Sequence, residues 1–345
     1  RQYSEQKPKG DAGVESIALT DINGIRHVYE PDDILWFFEE TRPGLVRIIN
    51  TERQLATFAL DSRQTAVLKK ELKASGSPIW FGAFQGERLP LNKLPNTRGL
   101  GGLSAGSSAV IGHHELIRSG ALHDATPHDV EYLTGTMGLK TIIDLRTDLE
   151  IAAKPDPAIP GVQWVHVPLL DTWEYEEIGL RTLTESGLEE MRNQGPEMMV
   201  RLYRKIVGAP EGIRGLKKFF QILLAKRSGS VLWHCTQGKD RTGVAAAILE
   251  RILGCDAQVV EQDYLQTNPC LHMQEDQTEA WLTKKLHLSQ KTARDFSFLF
   301  EARPEFLQAA WDIIDTEFGG FAAYLENQLG LDQEKQAQLK RMYTC

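Results

Sequence analysis

One stretch of the chain, VLWHCTQGKDRTG at 231–243, combines residues whose types and spacing suit phosphate chemistry. An apolar run ends at Cys235, five residues separate that cysteine from Arg241, and a segment of helical composition follows at 244–253. A loop between a strand and a helix points its backbone N–H groups inward, and the positive N-terminal end of the helix adds to their attraction for an anion. The spacing therefore predicts an anion-binding cradle with a thiol at its base.

The chemistry that fits this cradle is attack by Cys235 on a phosphate monoester. Inward N–H dipoles and a nearby guanidinium favour the thiolate form of a cysteine. Arg241 offers a planar fork for two phosphate oxygens, and Thr242 can donate its hydroxyl to the sulfur when the sulfur leaves. We expect a phosphocysteine intermediate that water hydrolyses, without a metal or other cofactor. The loop residues predicted to bind the phosphate are Thr236, Gln237, Gly238 and Lys239.

Strand and helix patterns alternate before this loop, which predicts an α/β domain with a central parallel sheet flanked by helices. A helix is expected at 124–138, and buried strands are expected at 139–150 and 162–171. The two strands end in polar residues, namely Asp144, Arg146, Glu150 and Asp171. Because parallel strands present their carboxyl ends at one edge of a sheet, we expect the site at that edge.

The first part of the chain has a different character. Residues 1–13 are polar and are expected to form a disordered lead. Short runs rich in β-branched and aromatic residues, separated by turn formers, then predict a small β-rich accessory domain that ends at 89, with one helix at 62–76. Its aromatic residues are expected to form its core rather than a ligand platform. They are Trp36, Phe37, Phe38, Trp80 and Phe81.

Four motifs, in order and spacing, resemble one family. They are Pro-Asn-x-Arg-x-x-Gly-Gly at 95–102, Arg-Ser-Gly-x-Leu at 118–122, Ile-Asp-Leu-Arg-x-x-x-Glu at 143–150 and His-Cys-x-x-Gly-Lys-Asp-Arg-Thr-Gly at 234–243. Together they look like the atypical bacterial tyrosine phosphatases that also act on phosphoinositides. The resemblance implies a tyrosine-phosphatase-like fold over 90–345 and hydrolysis of phosphate monoesters on phosphotyrosine proteins, on phosphoinositides or on both.

The chain departs from the family's pattern around Arg98, where Thr97 and Gly99 stand in place of the family's Phe or Leu and Asp. This change is expected to alter the rim of the site without removing its chemistry. We assign Arg98, together with Asp144 and Arg146, to substrate binding. The alternative for Asp144 is an ion pair with Arg146 or Arg241.

The general acid that protonates the leaving group has three candidates. Asp240 lies inside the loop, and the resemblance implies that an in-loop aspartate does this work in the family. Asp171 follows a strand and a proline, like the mobile acid loop of ordinary dual-specificity phosphatases. Asp144 stands at a strand end.

Lys239 bears on the substrate, because a lysine in the loop adds a donor beside the cleaved phosphate. It could contact a second phosphate on an inositol ring, and the resemblance implies the same, since phosphoinositide-cleaving members carry Gly-Lys-x-Arg here. The alternative is a solvated surface lysine.

A long insertion of helical composition separates Asp171 from the loop. Its segments are 172–195, which is acid-rich, and 196–207 and 213–227, which are basic and amphipathic. In the family this region resembles a helical lid, here at 172–215, which Met198, Met199, Leu202 and Tyr203 could close. A plain helical layer on the sheet is the alternative, and the basic face of 201–218 could contact an anionic membrane surface.

Composition narrows the function classes. The chain has 345 residues, of which 41% are hydrophobic and 25% charged, as is ordinary for a globular protein. Its net charge of −8 argues against a nucleic-acid partner and requires that attraction for an anionic substrate be local to the site. No apolar run is long enough to span a bilayer. Four cysteines and a start at Arg1 leave the compartment open between the cytoplasm and secretion with a removed signal segment.

Two functions from other classes compete with hydrolysis. A pseudophosphatase would bind phosphorylated partners without turnover, but Cys235 and Arg241 are both present. A rhodanese-like sulfurtransferase also places a reactive cysteine after a strand, but the five-residue spacing to the arginine disfavours it.

Overall fold

The computed structural model describes residues 16–39, 44–51, 54–77, 79–83, 85–171, 194–271 and 296–345. By its internal contacts the chain divides into two compact units, Arg1–Phe84 and Gln85–Cys345. The predicted lead at 1–13 lies outside the described residues.

The described part of the first unit is built mainly of β-strands. Its elements are β1 (Ile17–Thr20), β2 (Arg26–Tyr29), β3 (Ile34–Glu39), β4 (Leu45–Asn50), β5 (Leu55–Ala59), α1 (Ser62–Ala74) and β6 (Trp80–Ala83). Strands β1 and β2 pair as an antiparallel hairpin, and the other four form a sheet in the order β5-β4-β3-β6. Strands β3 and β6 are parallel, and the remaining pairs of this sheet are antiparallel.

The helix of this unit lies where the sequence predicts it. Asp61 caps its first turn, because the Asp61 carboxylate accepts the Gln64 N–H at 2.8 Å while the Gln64 side chain accepts the Asp61 N–H at 2.9 Å. Leu68 and Leu72 of this helix pack in an apolar cluster that includes Phe37. The predicted aromatic core is confirmed for Trp36, Phe37 and Phe38, which are buried, and Phe81 is partly buried against the same cluster. The side chain of Trp80 lies outside the described residues.

The second unit contains a six-stranded sheet. Its strands are β7 (Glu87–Arg88), β8 (Arg98–Gly99), β9 (Leu116–Ser119), β10 (Leu139–Asp144), β11 (Gln163–His166) and β12 (Ser230–His234), in the order β11-β10-β12-β9-β8-β7. The four strands from β11 to β9 are mutually parallel, and β8 and β7 continue the sheet antiparallel. The predicted α/β class with a central parallel sheet is confirmed.

The register of the parallel strands brings their carboxyl ends level. Asp144 of β10 pairs with His166 of β11 on one side and with His234 of β12 on the other, and His234 pairs with Ser119 of β9. The loop that begins at Cys235 therefore leaves the middle of the sheet, between two neighbouring strand ends.

Two predicted strands are shorter than expected. Strand β10 stops at Asp144, and residues 148–153 form a short helix, α3 (Asp148–Ala153). The reason is a capping box, in which Thr147 accepts the Glu150 N–H while the Glu150 carboxylate accepts the Thr147 N–H. Strand β11 is also shorter than predicted and ends at His166.

The helix expected at 124–138 is divided into two parts. They are α2 (Pro127–Glu131) and a wider helical turn at Tyr132–Thr136.

Helices cover the sheet. They are α4 (Pro196–Gly208), α5 (Pro210–Ala225), α6 (Asp240–Leu253), α7 (Ala257–Leu265), α8 (Pro304–Phe318), α9 (Phe321–Ala323) and α10 (Gln333–Tyr343). Helices α4 and α5 confirm the two amphipathic segments predicted at 196–207 and 213–227. Residues 172–193, the first half of the predicted lid, lie outside the described residues. None of the described helices is long and apolar enough to cross a bilayer.

Candidate active site

The loop between β12 and α6 wraps around a buried thiol. Cys235 directly follows the last residue of β12, and its side chain is 2% exposed. The loop then reverses at Gly238, whose φ of +73° lies in the left-handed region. A Cβ at this position would lie 2.5 Å from the Ser119 carbonyl oxygen, so that only glycine fits without displacing the neighbouring strand end.

Three carbonyl groups of this loop are held from outside it. The Ala121 N–H donates to the Thr236 carbonyl at 3.0 Å, the Asn96 amide donates to the Gln237 carbonyl at 2.8 Å, and Arg118 Nη2 donates to the Gly238 carbonyl at 3.0 Å. In a trans peptide the N–H points opposite to the carbonyl. These bonds therefore turn the N–H groups of residues 237–239 toward the inside of the loop, where an anion would sit.

A buried carboxylate holds the two arginines of this support. Asp263 of α7 accepts from Arg98 Nε at 3.2 Å and from Arg118 Nη1, while Arg98 also donates to the Asn96 side chain. Burial alone would raise the pKa of Asp263, but the charges of Arg98 and Arg118 outweigh it and lower that pKa to about 2. Burial and the nearby Asp263 charge raise the pKa of the fully buried Glu250 well above its ordinary value, so Glu250 is neutral. Arg98, which the sequence assigns to substrate binding, is instead buried in this cluster outside the described lining of the cavity and supports the loop through Asn96.

Glu150 fixes the arginine of the loop. Arg241 Nη1 donates to Glu150 Oε2 at 2.6 Å and Nη2 donates to Oε1 at 2.7 Å, a bidentate pair, and the Thr236 hydroxyl donates to the same carboxylate. Burial opposes ionisation of Glu150, but Arg241 and Thr236 together lower its pKa to about 2. The carboxylate is therefore charged at neutral pH, and the plane of the Arg241 guanidinium is set by it.

A second buried ion cluster contains the two other residues that we assigned to substrate binding. Arg146 Nη2 donates at 2.7 Å to Asp144 Oδ2 and also at 2.7 Å to Asp156 Oδ2. Asp144 is fully buried and Arg146 is 1% exposed. The ion pair considered as the alternative for Asp144 is thus present, with Arg146. Asp144, Asp156 and His234 also form a group of the kind that can hold a metal ion, but the Arg146 guanidinium already donates to both carboxylates.

Lys239 is buried rather than solvated. Its ammonium donates to the carbonyls of Glu301 at 3.1 Å and Phe298 at 3.4 Å, and lies 3.3 Å from Asp240 Oδ1. The alternative of a solvated surface lysine is therefore wrong, because the side chain is fully buried. Lys239 also does not line the cavity described below.

The hydroxyl of Thr242 has a partner other than the sulfur. It donates to the Ser119 carbonyl at 3.4 Å and is fully buried. In the structure Thr242 thus ties the start of α6 to the end of β9.

The three candidate acids have different surroundings. Asp240, the first residue of α6, lines the cavity beside Cys235, and its Oδ1 accepts from the Tyr203 hydroxyl at 2.8 Å. Asp171 is half-buried and is absent from the described lining of the cavity, although its neighbour Leu170 is part of that lining. Asp144 is buried in the ion pair with Arg146.

The loop opens into a cavity of about 170 Å³. Its polar lining consists of Glu150, Cys235, Thr236, Gln237, Asp240 and Arg241, and its apolar lining consists of Leu170, Met199, Leu202, Leu299 and Phe300. Two of the four residues expected to close a lid, Met199 and Leu202, thus form a wall of the cavity, while Met198 and Tyr203 are buried beside them.

Sequence reasoning missed several residues of the site. The sequence analysis places Glu150 at the end of a strand and of a motif without a role in the site, although its capping-box spacing from Thr147 predicts a helix start there. Leu299 and Phe300 carry no motif, and they reach the cavity from a short 3-10 turn at Ser297–Leu299. Asn96 and Arg118 belong to motifs to which the sequence assigns no separate role for these two residues.

Comparison with known proteins agrees with the geometry. The model of the tyrosine phosphatase family matches residues 89–345. A protein of Cupriavidus necator that is assigned by name to the tyrosine-protein phosphatases is 29% identical over 258 residues, which cover 74% of this chain and 88% of that protein. The triple specificity protein phosphatase PtpB of Mycobacterium tuberculosis is 27% identical over 216 residues, covering 55% of this chain and 77% of PtpB. Among solved structures, P. aeruginosa TpbA in complex with phosphotyrosine aligns with a TM-score of 0.24 and 16% identity, over 59% of this chain and 87% of that one.

Proposed function

The chain belongs to the tyrosine phosphatase family of phosphomonoesterases, and we propose that it hydrolyses phosphotyrosine in proteins through a phosphocysteine intermediate. The observation that carries this proposal is the cavity itself. Cys235 and Arg241 line it together with leucine, methionine and phenylalanine side chains. A phosphate held by Cys235 and Arg241 would leave a phenyl ring among these apolar side chains.

The reaction has two steps. In the first, the Cys235 thiolate attacks phosphorus and the P–O bond to the leaving group breaks. The electron pair of that bond stays on the leaving oxygen, which takes a proton from an acid and departs as the alcohol. Arg241 and the inward N–H groups of the loop bind the three equatorial oxygens as their charge develops. In the second, water attacks phosphorus and gives a proton to the carboxylate that the acid became in the first step, the S–P bond breaks with its electron pair on sulfur, and the thiolate is restored.

Asp240 is the acid in this proposal. It lines the cavity in the loop that holds the phosphate, which brings its carboxyl within reach of the leaving oxygen. The buried ion pair with Arg146 disfavours Asp144, and the absence of Asp171 from the described lining disfavours that residue.

Electrostatics favour an aryl monophosphate over an inositol with several phosphates. Arg241 is the one basic residue among the described lining of the cavity, because the ammonium of Lys239 points into the protein toward Glu301. Among the described lining residues, further phosphates on an inositol ring would meet apolar side chains and would lose hydration without gaining a cation. The mycobacterial relative is named a triple specificity phosphatase, so phosphoserine and phosphoinositide remain substrates to be tested.

Contact with a membrane stays a prediction. The basic side chains of Arg201, Arg204, Lys217 and Lys218 on α4 and α5 are exposed, as membrane attraction would require. Their binding to anionic vesicles, compared with binding to neutral vesicles, would test it.

The test of the function is phosphate release from a panel of substrates, namely a phosphotyrosine peptide, a phosphoserine peptide and a phosphoinositide in vesicles. Each is assayed in the presence of a chelator with the wild-type chain and with Cys235→Ser. We expect the highest kcat/KM for the phosphotyrosine peptide and complete loss of turnover in the variant. Binding of the peptides without release would support the pseudophosphatase alternative, and turnover of thiosulfate would support the sulfurtransferase.

A further inference from the structure

One oxygen of the Asp240 carboxyl is held by two donors. The Tyr203 hydroxyl donates to Oδ1 at 2.8 Å, and the Lys239 ammonium lies 3.3 Å from the same oxygen. Among the described residues, the other oxygen, Oδ2, has no hydrogen-bond partner. A carboxyl oxygen that accepts from a hydroxyl and faces an ammonium is a poor site for a proton, so a neutral Asp240 would carry its proton on Oδ2.

A second tyrosine fixes the direction of the Tyr203 hydroxyl. The Tyr264 hydroxyl lies 2.6 Å from that of Tyr203, and both side chains are fully buried. Because Tyr203 has a single proton and gives it to Asp240, the proton between the two tyrosines belongs to Tyr264. Burial, followed by the nearby charge of Asp240, raises the pKa of Tyr203 well above its ordinary value, so Tyr203 remains a donor at any working pH.

We propose that Tyr203 is a positioning residue for the general acid, and that the relay from Tyr264 through Tyr203 to Asp240 directs the acidic proton to Oδ2. This inference rests on the proposed phosphatase function. As the P–O bond breaks, its electron pair goes to the leaving oxygen, which takes the proton from Oδ2. The new carboxylate keeps the Tyr203 hydrogen bond on Oδ1, and Oδ2 is then free to accept a proton from the water that attacks the phosphocysteine.

The same helix turn also shapes the cavity. Leu202, the residue before Tyr203, and Met199, one turn earlier, both line the cavity wall. Helix α4 therefore contributes the surface that would contact the leaving group and the hydroxyl that orients the acid. The position of α4 along α6 therefore affects both the surface for the leaving group and the orientation of the acid.

The experiment compares two substrates that differ in their need for an acid. Phenyl phosphate has a poor leaving group that requires protonation, whereas p-nitrophenyl phosphate has a good one that requires it little. For Tyr203→Phe we expect kcat/KM on phenyl phosphate, which reports the step that expels the leaving group, to fall on the order of tenfold, the effect of one lost hydrogen bond to a charged group, with a much smaller fall on p-nitrophenyl phosphate. Tyr264→Phe should show the same selectivity with a smaller loss, and it serves as the second variant if the first does not fold.

Tyr324→Phe is the matched control. Tyr324 is a fully buried tyrosine outside α4. Its hydroxyl donates at 2.8 Å to the carbonyl of Val207, which lies on α4 like Tyr203, and it has no contact with Asp240. We expect the control to keep the wild-type ratio of kcat/KM on the two substrates.

A double variant separates positioning from packing. In an Asp240→Asn background, Tyr203→Phe should cause no further loss on phenyl phosphate, because both changes remove the same step. Equal losses of kcat/KM on both substrates, or losses that multiply in the double variant, would overturn the proposal. Failure of the function itself would appear differently, as a wild-type chain whose turnover of both substrates does not depend on Cys235.

Discussion

The Glu150 carboxylate accepts a hydrogen bond from each terminal nitrogen of Arg241, with Nη1–Oε2 and Nη2–Oε1 distances of 2.6 Å and 2.7 Å. The two residues are 91 positions apart and come from different elements, the helix after β10 and the helix after β12. This pairing orients the guanidinium before any substrate arrives, and it ties the phosphate-binding loop to the neighbouring strand connection.

Replacing Glu150 by Gln should impair phosphate binding. The amide provides a single acceptor and turns an NH₂ group toward Arg241, so the guanidinium loses its fixed plane. We expect kcat/KM on a phosphotyrosine peptide to fall about a hundredfold, as for other misplaced catalytic groups. Asp148→Asn on the same helix is the control, because it removes a carboxylate that is 87% exposed. Equal kinetics for the two variants would contradict the role of Glu150.

The same carboxylate should make stability depend on pH in the acid range. The pKa of Glu150 is about 2 in the folded chain against an ordinary value of 4.5. A lowered carboxyl pKa contributes stability that is fully present above pH 4.5 and is lost as the pH falls toward 2. Urea unfolding of the wild type and Glu150→Gln should show the wild type losing about 3 kcal/mol relative to the variant across that interval. A difference that does not change with pH would contradict the assigned ion pair.

Replacement by the neutral amide should destabilise the chain much more at Asp263 than at Glu250, the two buried carboxyl groups beneath the loop. Asp263→Asn leaves Arg98 and Arg118 without their counter-ion, so we expect a loss of about 3 to 5 kcal/mol in the free energy of unfolding. Glu250→Gln replaces a group that is already neutral, and its cost should stay near 1 kcal/mol. Thermal and urea unfolding measure both. If the two variants were equally destabilised, the charge assignment within the cluster would be incorrect.

Lys239→Met should not discriminate between substrates. The ammonium points toward the carbonyls of Phe298 and Glu301, and the loss of these contacts should cost about 1 to 3 kcal/mol of stability. Turnover of two phosphoinositides, one with a single ring phosphate and one with two, should change by the same factor, measured side by side on one preparation. A selective loss on the phosphoinositide with two ring phosphates would instead assign Lys239 to a second phosphate.

The sequence was sufficient for those parts of the site that depend on local spacing. The apolar run, the five residues between Cys235 and Arg241 and the following helix predicted the loop and the parallel sheet that carries it. The alternation of strands and helices likewise placed Asp144 at a strand end. These features depend on residues that are close in the sequence, and the spacing of apolar and polar residues predicts such local structure.

The remaining features depend on contacts between distant segments. The spacing of the loop residues does not reveal that Lys239 points inward, because its direction is set by carbonyls about 60 residues later. Two other interactions also join separate elements. Arg98 supports the loop through Asn96, and the Tyr203 hydroxyl donates a hydrogen bond to Asp240. A motif identifies such residues as a set, but only their packing assigns each one a partner.

The most direct test of the account is to trap the intermediate. The wild-type chain is mixed with a phosphotyrosine peptide in the presence of a chelator, quenched rapidly, digested and analysed by mass spectrometry, with Asp240→Asn and Cys235→Ser in parallel. We expect a phosphoryl group on the Cys235 peptide of the wild type, and none in Cys235→Ser. Phosphate release without phosphorylation at Cys235, or release that persists in Cys235→Ser, would contradict the nucleophilic role of Cys235.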